Sequence, residues 1–272
     1  MIFAFITQMK NYLIIGYGWL GKALATELRS EECKIWASTT DADKLIDIQS
    51  NGFFGIPLAK TNQVLSWKQL PETHFDKVII TLPPFEGVLE SLNNLLNSLS
   101  FSQLIFTSST GVYMESDTLI NESSPLDESH LVSQMERCIR SLTKSPCQIL
   151  RLAGHIGPNR HPIRYFLRHR RPISNGQAPV NLIHQSDMIA AIIILLQDVQ
   201  QDSVYNLCWP EHPSKEQYYG DLALELGEEQ LNFLEGNHGK KIDGSKITNE
   251  TRFNYHHSIH DINLLDLRKD NI

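Results

Sequence analysis

The chain has 272 residues, 41% apolar and 20% charged, enough for one large domain with a substantial core or one domain plus a small lobe. Its formal net charge at pH 7 is −7. Proteins that bind the nucleic-acid backbone need a positive surface, so this acidic balance predicts that nucleic acid is not a partner.

The cysteines and the apolar runs bear on the compartment of the protein. The four cysteines are scattered without CxxC spacing, which predicts neither a disulfide framework nor a zinc site and favours a reducing cytoplasm. No apolar run approaches the ~20 residues that span a bilayer, and we predict no membrane segment. Met9 and Lys10 directly precede the first predicted strand. We therefore interpret Met1–Gln8 as a mis-assigned start or a loose tail.

Six short runs are apolar on both sides and do not alternate, which predicts strands buried on both faces. They lie at 11–16, 34–39, 53–56, 76–82, 102–107 and 147–152. Apolar residues at helical spacing predict helices at 19–30, 86–99 and 129–143. Strands and helices that alternate in this way predict right-handed crossovers, and therefore an α/β fold with a Rossmann-type, doubly wound parallel sheet.

The pattern changes after residue 152. A basic, loop-rich segment at 153–181 is followed by a predicted helix at 185–198, a strand at 203–208 and a helix at 214–226. We predict that residues 9–152 form a dinucleotide-binding core. Residues 153–272 should complete the sheet and build a small lobe on the substrate side. No linker separates the two parts, so we expect one continuous domain.

A glycine turn joins the first predicted strand to the first predicted helix. It reads G-Y-G-W-L-G, with Gly16 for the tight turn, Gly18 for close approach of a pyrophosphate, and Gly21 for close packing of helix and strand. The exposed N–H groups and positive dipole end of the helix suit phosphate groups. The turn therefore predicts a bound dinucleotide, with Trp19 and Leu20 included among its contacts. The alternative is a glycine-rich turn without a ligand.

The end of the second strand bears on which dinucleotide is bound. Ser38, Thr39 and Thr40 stand where an acidic residue would hold the adenosine ribose, and Asp41 comes slightly later. Hydroxyl groups tolerate a 2′-phosphate, and Lys44 could help to neutralise it. The pattern favours NADP and leaves NAD open, because Asp41 could reach back.

Five further segments resemble one known family in their order and spacing. They are TSSTGVY at 107–113, RLAGHIGPNR at 151–160, NLIHQSD at 181–187, VYNL at 204–207 and KITN at 246–249. With the glycine turn, they resemble the extended short-chain dehydrogenase/reductase superfamily of the nucleotide-sugar epimerase/dehydratase type, over residues 11–260. The resemblance implies an NAD(P)-dependent protein that acts on a small substrate.

The resemblance also implies an active site, from which the sequence departs. Ser109 takes the position of the catalytic serine. The following helix should carry Tyr-x-x-x-Lys, but ESHLVSQMERC at 128–138 places His130 and Gln134 there, and the i, i+4 spacing predicts one helical face for both. This departure resembles an atypical subgroup that lacks the Tyr/Lys pair. Tyr113, in the serine motif, is another candidate phenol that could contact a substrate, although it is structural in the resembling proteins.

The departure leaves two interpretations open. Gln134 is neutral and cannot lower the pKa of a phenol, but an imidazole with a pKa near 6.5 does not need that help. His130 could therefore exchange a proton with a substrate while Ser109 polarises the reacting oxygen. Alternatively, His130 is a partly exposed polar residue on a helix whose catalytic role has lapsed.

Two other segments are implied to lie near ligands. Thr81, Leu82 and Pro83 end the fourth strand, where the resembling proteins pass the chain over the cofactor; the alternative is that the prolines only end the strand. Arg160 and Arg164 begin a basic stretch that lies beside substrate phosphates in the resembling epimerases. The alternative is a solvated helix face.

Two functions follow from these observations. The first is hydride transfer on a small sugar-like or anionic substrate, phosphate-bearing compounds included, with His130 in place of tyrosine. The second is a catalytically lapsed, dinucleotide-binding sensor or regulatory protein, since one fold hosts many functions. We predict no metal, because His256 and His260 have no third ligand nearby in sequence. The resemblance implies a homodimer through the helices at 86–99 and 129–143.

Overall fold

The computed structural model describes residues 9–30, 33–198 and 201–268, and Met1–Gln8 lie outside the described residues. The chain divides into two compact units. The first unit consists of Met1–Ser108, Glu128–Ile149 and Leu195–Ser203, and the second of Ser109–Asp127, Leu150–Ile194 and Val204–Ile272. The chain passes between the units several times. The predicted division into residues 9–152 and 153–272 stays a prediction.

One mixed sheet of eight strands contains most of the strands of the first unit. Its strands are β1 (Lys10–Ile15), β2 (Cys33–Thr39), β3 (Phe54–Thr61), β4 (Val64–Trp67), β5 (His74–Ile80), β6 (Ser100–Ser109), β8 (Cys147–Leu152) and β11 (Ser203–Leu207). They lie in the order β11-β8-β6-β5-β1-β2-β3-β4. The run β3-β2-β1-β5-β6-β8 has the doubly wound order 3-2-1-4-5-6, so the predicted fold class is confirmed.

Four helices accompany these strands in the first unit. They are α1 (Trp19–Glu27), α2 (Ala42–Ser50), α3 (Val88–Leu96) and α4 (Leu131–Leu142). Strands β1, β2, β3, β5 and β6 pair in parallel, and β4 is antiparallel to β3. The predicted strands agree with the structure within a few residues, except at β3. Their side chains are buried on both faces, as continuous apolar runs require: Leu13, Ile14 and Ile15 of β1 are all fully buried.

Helix α2 and strand β4 were not predicted. Ile48 is the buried residue of α2, so the helix shows little apolar periodicity, and its start is set by the side chain of Asp41. Strand β3 extends past the predicted end at residue 56 and reverses at Asn62 and Gln63, whose φ angles are 49° and 65°. Two successive positive φ values match the twist of a two-residue hairpin, and β4 returns from this turn.

The second unit is built from shorter elements. They are β7 (Leu119–Ile120), β9 (Gly154–Ile156), α5 (Ile163–His169), β10 (Leu182–His184), most of α6 (Gln185–Asp198), α7 (Lys215–Glu225), β12 (Lys241–Ile242), α8 (Ser245–Glu250) and α9 (Leu264–Arg268). Strand β9 pairs with β10, and β7 with β12. The core of this unit packs apolar side chains from several of these elements, among them Ile163, Leu182, Tyr218, Leu222 and Ile259. None of the helices in the described ranges combines the length and apolar character that crossing a bilayer demands.

Two glutamines form a buried polar chain in the first unit. The Gln103 amide donates to Gln148 Oε1 at 2.6 Å and to the carbonyl oxygen of Leu195 at 2.9 Å. The Gln148 amide donates to the carbonyl oxygen of Gln201 at 2.6 Å. Both glutamine side chains are fully buried. Because these groups cannot reach water, each depends on its partner.

We expect Gln103→Leu to lower the free energy of unfolding by about 2–4 kcal/mol, because it leaves Gln148 Oε1 and the Leu195 carbonyl buried without a donor. Urea unfolding followed by circular dichroism measures this change. Gln69→Leu is the matched control, since Gln69 is exposed. An equal, small change in both variants would contradict the role of the buried chain.

A buried histidine in the second unit makes stability depend on pH. His161 Nε2 lies 3.0 Å from the Tyr218 hydroxyl, which donates to the carbonyl oxygen of Ile259 at 2.7 Å. His161 Nδ1 accepts the N–H of Ile163 at 3.1 Å. Both ring nitrogens are therefore used by the neutral imidazole. Burial, with the nearby charge of Arg164, lowers the pKa of His161 to about 3.

A folded-state pKa below the unfolded value means that the unfolded chain binds the proton first. The stabilising contribution of His161 is therefore present above about pH 6.5 and is lost as pH falls toward 3, by up to about 1.4 kcal/mol per pH unit. We expect His161→Phe to be less stable at pH 7 and to have a shallower dependence of unfolding free energy on pH between 6 and 4. His169→Phe, at an exposed position, should keep the wild-type slope; identical slopes in all three proteins would refute the assignment.

Candidate functional site

The turn after β1 is held by side chains from two neighbouring strands. Gly16 has φ +110°, a conformation that L side chains rarely adopt, and its N–H donates to Ser38 Oγ at 3.3 Å. The Thr81 hydroxyl donates to the carbonyl oxygen of Gly16 at 2.7 Å. Strands β2 and β5 therefore fix the path of the chain into α1.

Gly18 and Gly21 differ in what surrounds them. A Cβ at Gly21 would lie 2.1 Å from the carbonyl oxygen of Gly16, so only glycine permits this approach of α1 to β1. A Cβ at Gly18 would meet nothing within 4 Å. Gly18 is also the N-cap of α1, and no side chain caps the helix there. No side chain therefore covers the start of α1, the end of a helix that suits an anionic ligand.

A cavity of about 410 Å³ lies at this turn in the first unit. It is lined by Gly16, Tyr17, Gly18, Ser38, Thr39, Thr40, Lys44, Leu58, Lys60, Leu65, Thr81, Leu82, Pro83 and Phe85. The structure thus brings together eight of the predicted cofactor residues. The other three, Trp19, Leu20 and Gly21, form the first turn of α1 and do not line the cavity; Leu20 and Gly21 face the core of the unit instead.

The lining of the cavity is positively charged. Lys44 and Lys60 contribute their cations, and no carboxylate is among the lining residues. The sequence leaves open whether Asp41 reaches back toward the cavity, and in the structure Asp41 does not line it. Its Oδ1 accepts the N–H groups of Asp43 at 2.9 Å and Lys44 at 3.1 Å and so caps α2.

Tyr17 lies in the wall of the cavity with its side chain almost fully buried. Burial raises its pKa to about 12, with further contributions from the nearby carboxylate of Asp47. The phenol therefore stays protonated at neutral pH and serves as a wall.

Ser109 ends β6, and its hydroxyl oxygen accepts the N–H of Gly111 at 3.0 Å at the start of a short 3₁₀ turn. It is partly exposed. The preceding Ser108 is buried and donates to the buried carboxylate of Glu136. Of the two serines, Ser109 is the one accessible to a substrate.

His130 lies just before helix α4 and Gln134 in its first turn, and their shared face stays a prediction. Helix α4 begins at Leu131, and His130 is its N-cap with an extended backbone, φ −66° and ψ 127°. His130 Nδ1 accepts the N–H of Val132 at 3.2 Å. The Gln134 amide donates to the carbonyl oxygen of Ser129 at 3.0 Å. Both side chains are engaged in starting the helix, because its first N–H groups and the preceding loop need partners.

The Tyr113 side chain is buried in the second unit, and its contact with a substrate stays a prediction. The hydroxyl donates to Asn206 Oδ1 at 2.6 Å and accepts from the Arg151 guanidinium at 2.9 Å. Arg151 also lies over the Tyr113 ring, 4.9 Å from its centroid. This residue supports the fold.

Arg160 and Arg164 lie in the second unit. Arg160 lines a cavity of about 260 Å³ that also contains His161, His184, Asp261 and Asp266, so the lining has mixed charge. The Arg164 guanidinium donates to the carbonyl oxygen of Asp266. Their predicted role toward substrate phosphates stays a prediction.

His256 and His260 lie four residues apart, a spacing that can bind zinc when the segment is a helix. The segment is not helical, so His256 and His260 do not have the spacing of a helical ligand pair. In the described ranges, no group of three or more His, Cys, Asp or Glu side chains is placed to hold a metal ion.

Several cavity residues were missed from the sequence. Leu58, Lys60 and Leu65 belong to the unpredicted hairpin, and Tyr17 and Phe85 were not assigned a role. The apolar residues Leu58 and Ala59, which follow the predicted strand end at residue 56, were the available signal for a longer strand.

Comparison with known proteins places the chain in a family. The chain is 33% identical to protein YeeZ of Escherichia coli (strain K12) over 265 residues, which cover 91% of the chain and 96% of that protein. No protein-family model matches the chain.

Solved structures share its fold. A functionally unknown conserved protein from Silicibacter pomeroyi has a TM-score of 0.76 at 18% identity, covering 96% of this chain and 99% of that one. UDP-glucuronic acid 4-epimerase from Bacillus cereus, solved in complex with NAD, has a TM-score of 0.72 at 19% identity, covering 92% and 93%. The chain therefore has the fold of the epimerase-like short-chain dehydrogenase/reductases and belongs to the family of protein YeeZ.

Proposed function

We propose that this protein binds a pyridine dinucleotide, NADP or NAD, in the cavity of the first unit. The observation that carries the proposal is the contrast between two glycines. The fold needs Gly21, whose Cβ would collide with the Gly16 carbonyl, but it does not need Gly18, whose Cβ would face open space. A side chain is absent from the N-cap of α1 where a pyrophosphate would lie.

The residues present fit such a ligand. The uncapped N–H groups of α1 would hold the pyrophosphate. Leu58, Leu65 and Phe85 offer apolar surface to the adenine. Thr81, Leu82 and Pro83 would lie beside the ribose and the nicotinamide. When bound, the nicotinamide would supply hydride-transfer chemistry. The Bacillus cereus epimerase with this fold was solved with NAD, which agrees with the proposal.

We further propose epimerase/dehydratase-type chemistry on a small, sugar-like and phosphate-bearing substrate. The fold is that of a UDP-glucuronic acid 4-epimerase. Ser109 is accessible to polarise a reacting oxygen, and Arg160 and Arg164 would supply cations to phosphate groups. His130 would exchange the proton. Each assignment rests on the sequence resemblance and stays a proposal.

A second candidate function, dinucleotide binding without turnover, is favoured by the state of His130. Since Nδ1 accepts the Val132 N–H, the neutral ring carries its proton on Nε2. To accept a proton at Nε2, the ring must move its own proton to Nδ1 and lose the cap, which costs about 0.5–2 kcal/mol of helix stability. A residue retained as a cap needs no catalytic role.

Two further expectations from the sequence stay predictions. One is a homodimer through α3 and α4, which pack together in the first unit, where the Cys138 thiol approaches the carbonyl oxygen of Leu89 at 3.8 Å. The other is a cytoplasmic location.

We expect Gly18→Asp to abolish dinucleotide binding while leaving the protein folded. Aspartate is a favourable N-cap and its charge suits the helix dipole, so the melting temperature should be unchanged or raised. The same carboxylate would occupy the pyrophosphate position and repel it, raising the Kd for NADPH and NADH by at least about 100-fold. Isothermal titration calorimetry and differential scanning fluorimetry provide the two readouts.

Ser214→Asp is the matched control for Gly18→Asp. Ser214 caps α7 in the second unit and does not line the cavity, so the variant places a carboxylate at another helix start. It should bind both cofactors as the wild type does. Undiminished binding by Gly18→Asp would contradict the proposed location of the ligand.

A pair of His130 variants separates the two candidate functions. Asparagine is a good N-cap but cannot exchange a proton, whereas alanine can do neither. Under the enzymatic proposal, both variants lose turnover by about 10²–10⁴-fold in an assay of UDP-sugars and small carbonyl compounds with NADPH and NADH. His130→Asn should keep the wild-type melting temperature, and His130→Ala should lower it. Full turnover in His130→Asn would establish His130 as a cap only.

A further inference from the structure

We propose that Lys60, carried by the β3–β4 hairpin, and Lys44, in the first turn of α2, together hold the 2′-phosphate of NADP(H) and make the cavity select NADP(H) over NAD(H). The inference rests on the proposed function, because it assumes that the cavity binds a pyridine dinucleotide. It assigns the discrimination to a hairpin that lies outside the glycine turn.

The register of the hairpin directs Lys60 to the cavity. Side chains alternate along a strand, so Leu58 and Lys60 share one face of β3. Lys60 lies directly opposite Leu65 of β4, which places Leu65 on that face too. All three residues line the cavity. The hairpin thus contributes an apolar wall with a cation at its end.

The hairpin is fixed in place by α3 and the residue before it. The N–H of Leu65 donates to Ser91 Oγ at 2.8 Å, and the indole N–H of Trp67 donates to the carbonyl oxygen of Leu95 at 3.1 Å. The turn approaches Gly87 so closely that a Cβ there would lie 2.9 Å from the carbonyl oxygen of Gln63. The backbone that carries Lys60 is therefore held, and its ammonium needs only rotamer changes to reach a ligand.

Both lysines are available to an anion. Their side chains are exposed, and within the described residues no carboxylate pairs with either. Lys60 Nζ lies 5.8 Å from the centroid of the Phe85 ring, another residue of the cavity wall. Two cations among the lining residues match the charge of a phosphate monoester, which is close to −2 at neutral pH.

The carboxylate that would favour NAD(H) does not line the cavity. An acidic residue after the second strand holds the ribose 2′-hydroxyl in NAD-binding proteins of this fold and would repel a 2′-phosphate. Asp41 is the candidate here, and two backbone N–H groups of α2 occupy its Oδ1. The cavity lining contains hydroxyl groups and lysines instead.

The test is the Kd of NADPH, NADH, adenosine 2′,5′-bisphosphate and AMP for the full-length protein, measured by calorimetry at two salt concentrations. The wild type should bind NADPH at least about tenfold more tightly than NADH, and the bisphosphate more tightly than AMP, with the difference shrinking at high salt. Lys60→Gln should weaken NADPH by about tenfold, or about 1.4 kcal/mol, and leave NADH unchanged. Lys60→Glu should reverse the preference.

Two controls complete the design. Lys68→Gln removes an exposed lysine just after β4 that does not line the cavity, and it should change neither Kd. Lys44→Gln should resemble Lys60→Gln. If Lys60→Gln weakens NADPH and NADH equally, or leaves NADPH unchanged, the 2′-phosphate contact is refuted while the proposed function stands. If the wild type binds neither cofactor, both the proposed function and this inference fail.

Discussion

The close approach of α1 to the end of β1 is the constraint on which the first unit depends. At Gly21, helix α1 lies so near the end of β1 that the carbonyl oxygen of Gly16 occupies the space a Cβ would need. That oxygen also accepts the Thr81 hydroxyl from the neighbouring strand β5. The turn is therefore fixed from both sides, and the first N–H groups of α1 are presented at a set position. Residues of β2, β3 and the loop after β5 form the cavity walls around this point.

Helix caps determine which polar side chains remain for chemistry. Asp41 has the residue type and nearly the position of a ribose-binding carboxylate, but its oxygen satisfies the first N–H groups of α2. His130 stands in the position of the catalytic tyrosine, but its Nδ1 satisfies an N–H of α4. In both cases the first N–H groups of a helix need an acceptor, and the nearest side chain supplies it. The same local demand holds Asp41 at the start of α2 in one place and weakens a candidate base in the other.

The sequence predicted the features that depend on continuous patterns. Strands β1, β2, β5, β6 and β8 are apolar on both faces, and the glycine turn has a fixed spacing, so both could be located without coordinates. Helix α2 could not, because a largely solvent-facing helix has no apolar stripe. The hairpin was missed because the two-residue turn Asn62-Gln63 lacks the glycine that usually marks one. Lys60 and Leu65 belong to this hairpin, so their place in the cavity was missed as well. The sequence predicted His130 inside the helix, whereas it is the N-cap of α4, because periodicity cannot distinguish an N-cap from the first residue of a helix.

Dinucleotide binding and catalytic turnover have different physical requirements. Hydride chemistry needs particular side chains, and substitution at one position can remove it without disturbing the fold. Dinucleotide binding at a glycine turn uses backbone N–H groups, which every sequence that forms the turn retains. A retained turn alone is therefore weak support for a ligand, since Gly16 and Gly21 are required for folding in any case. Gly18 is different. Its φ of −95° is available to any residue, its Cβ would be unobstructed, and a Ser or Asp there would cap α1 more favourably. Folding gives no reason for glycine at that position, whereas a pyrophosphate in contact with the backbone does.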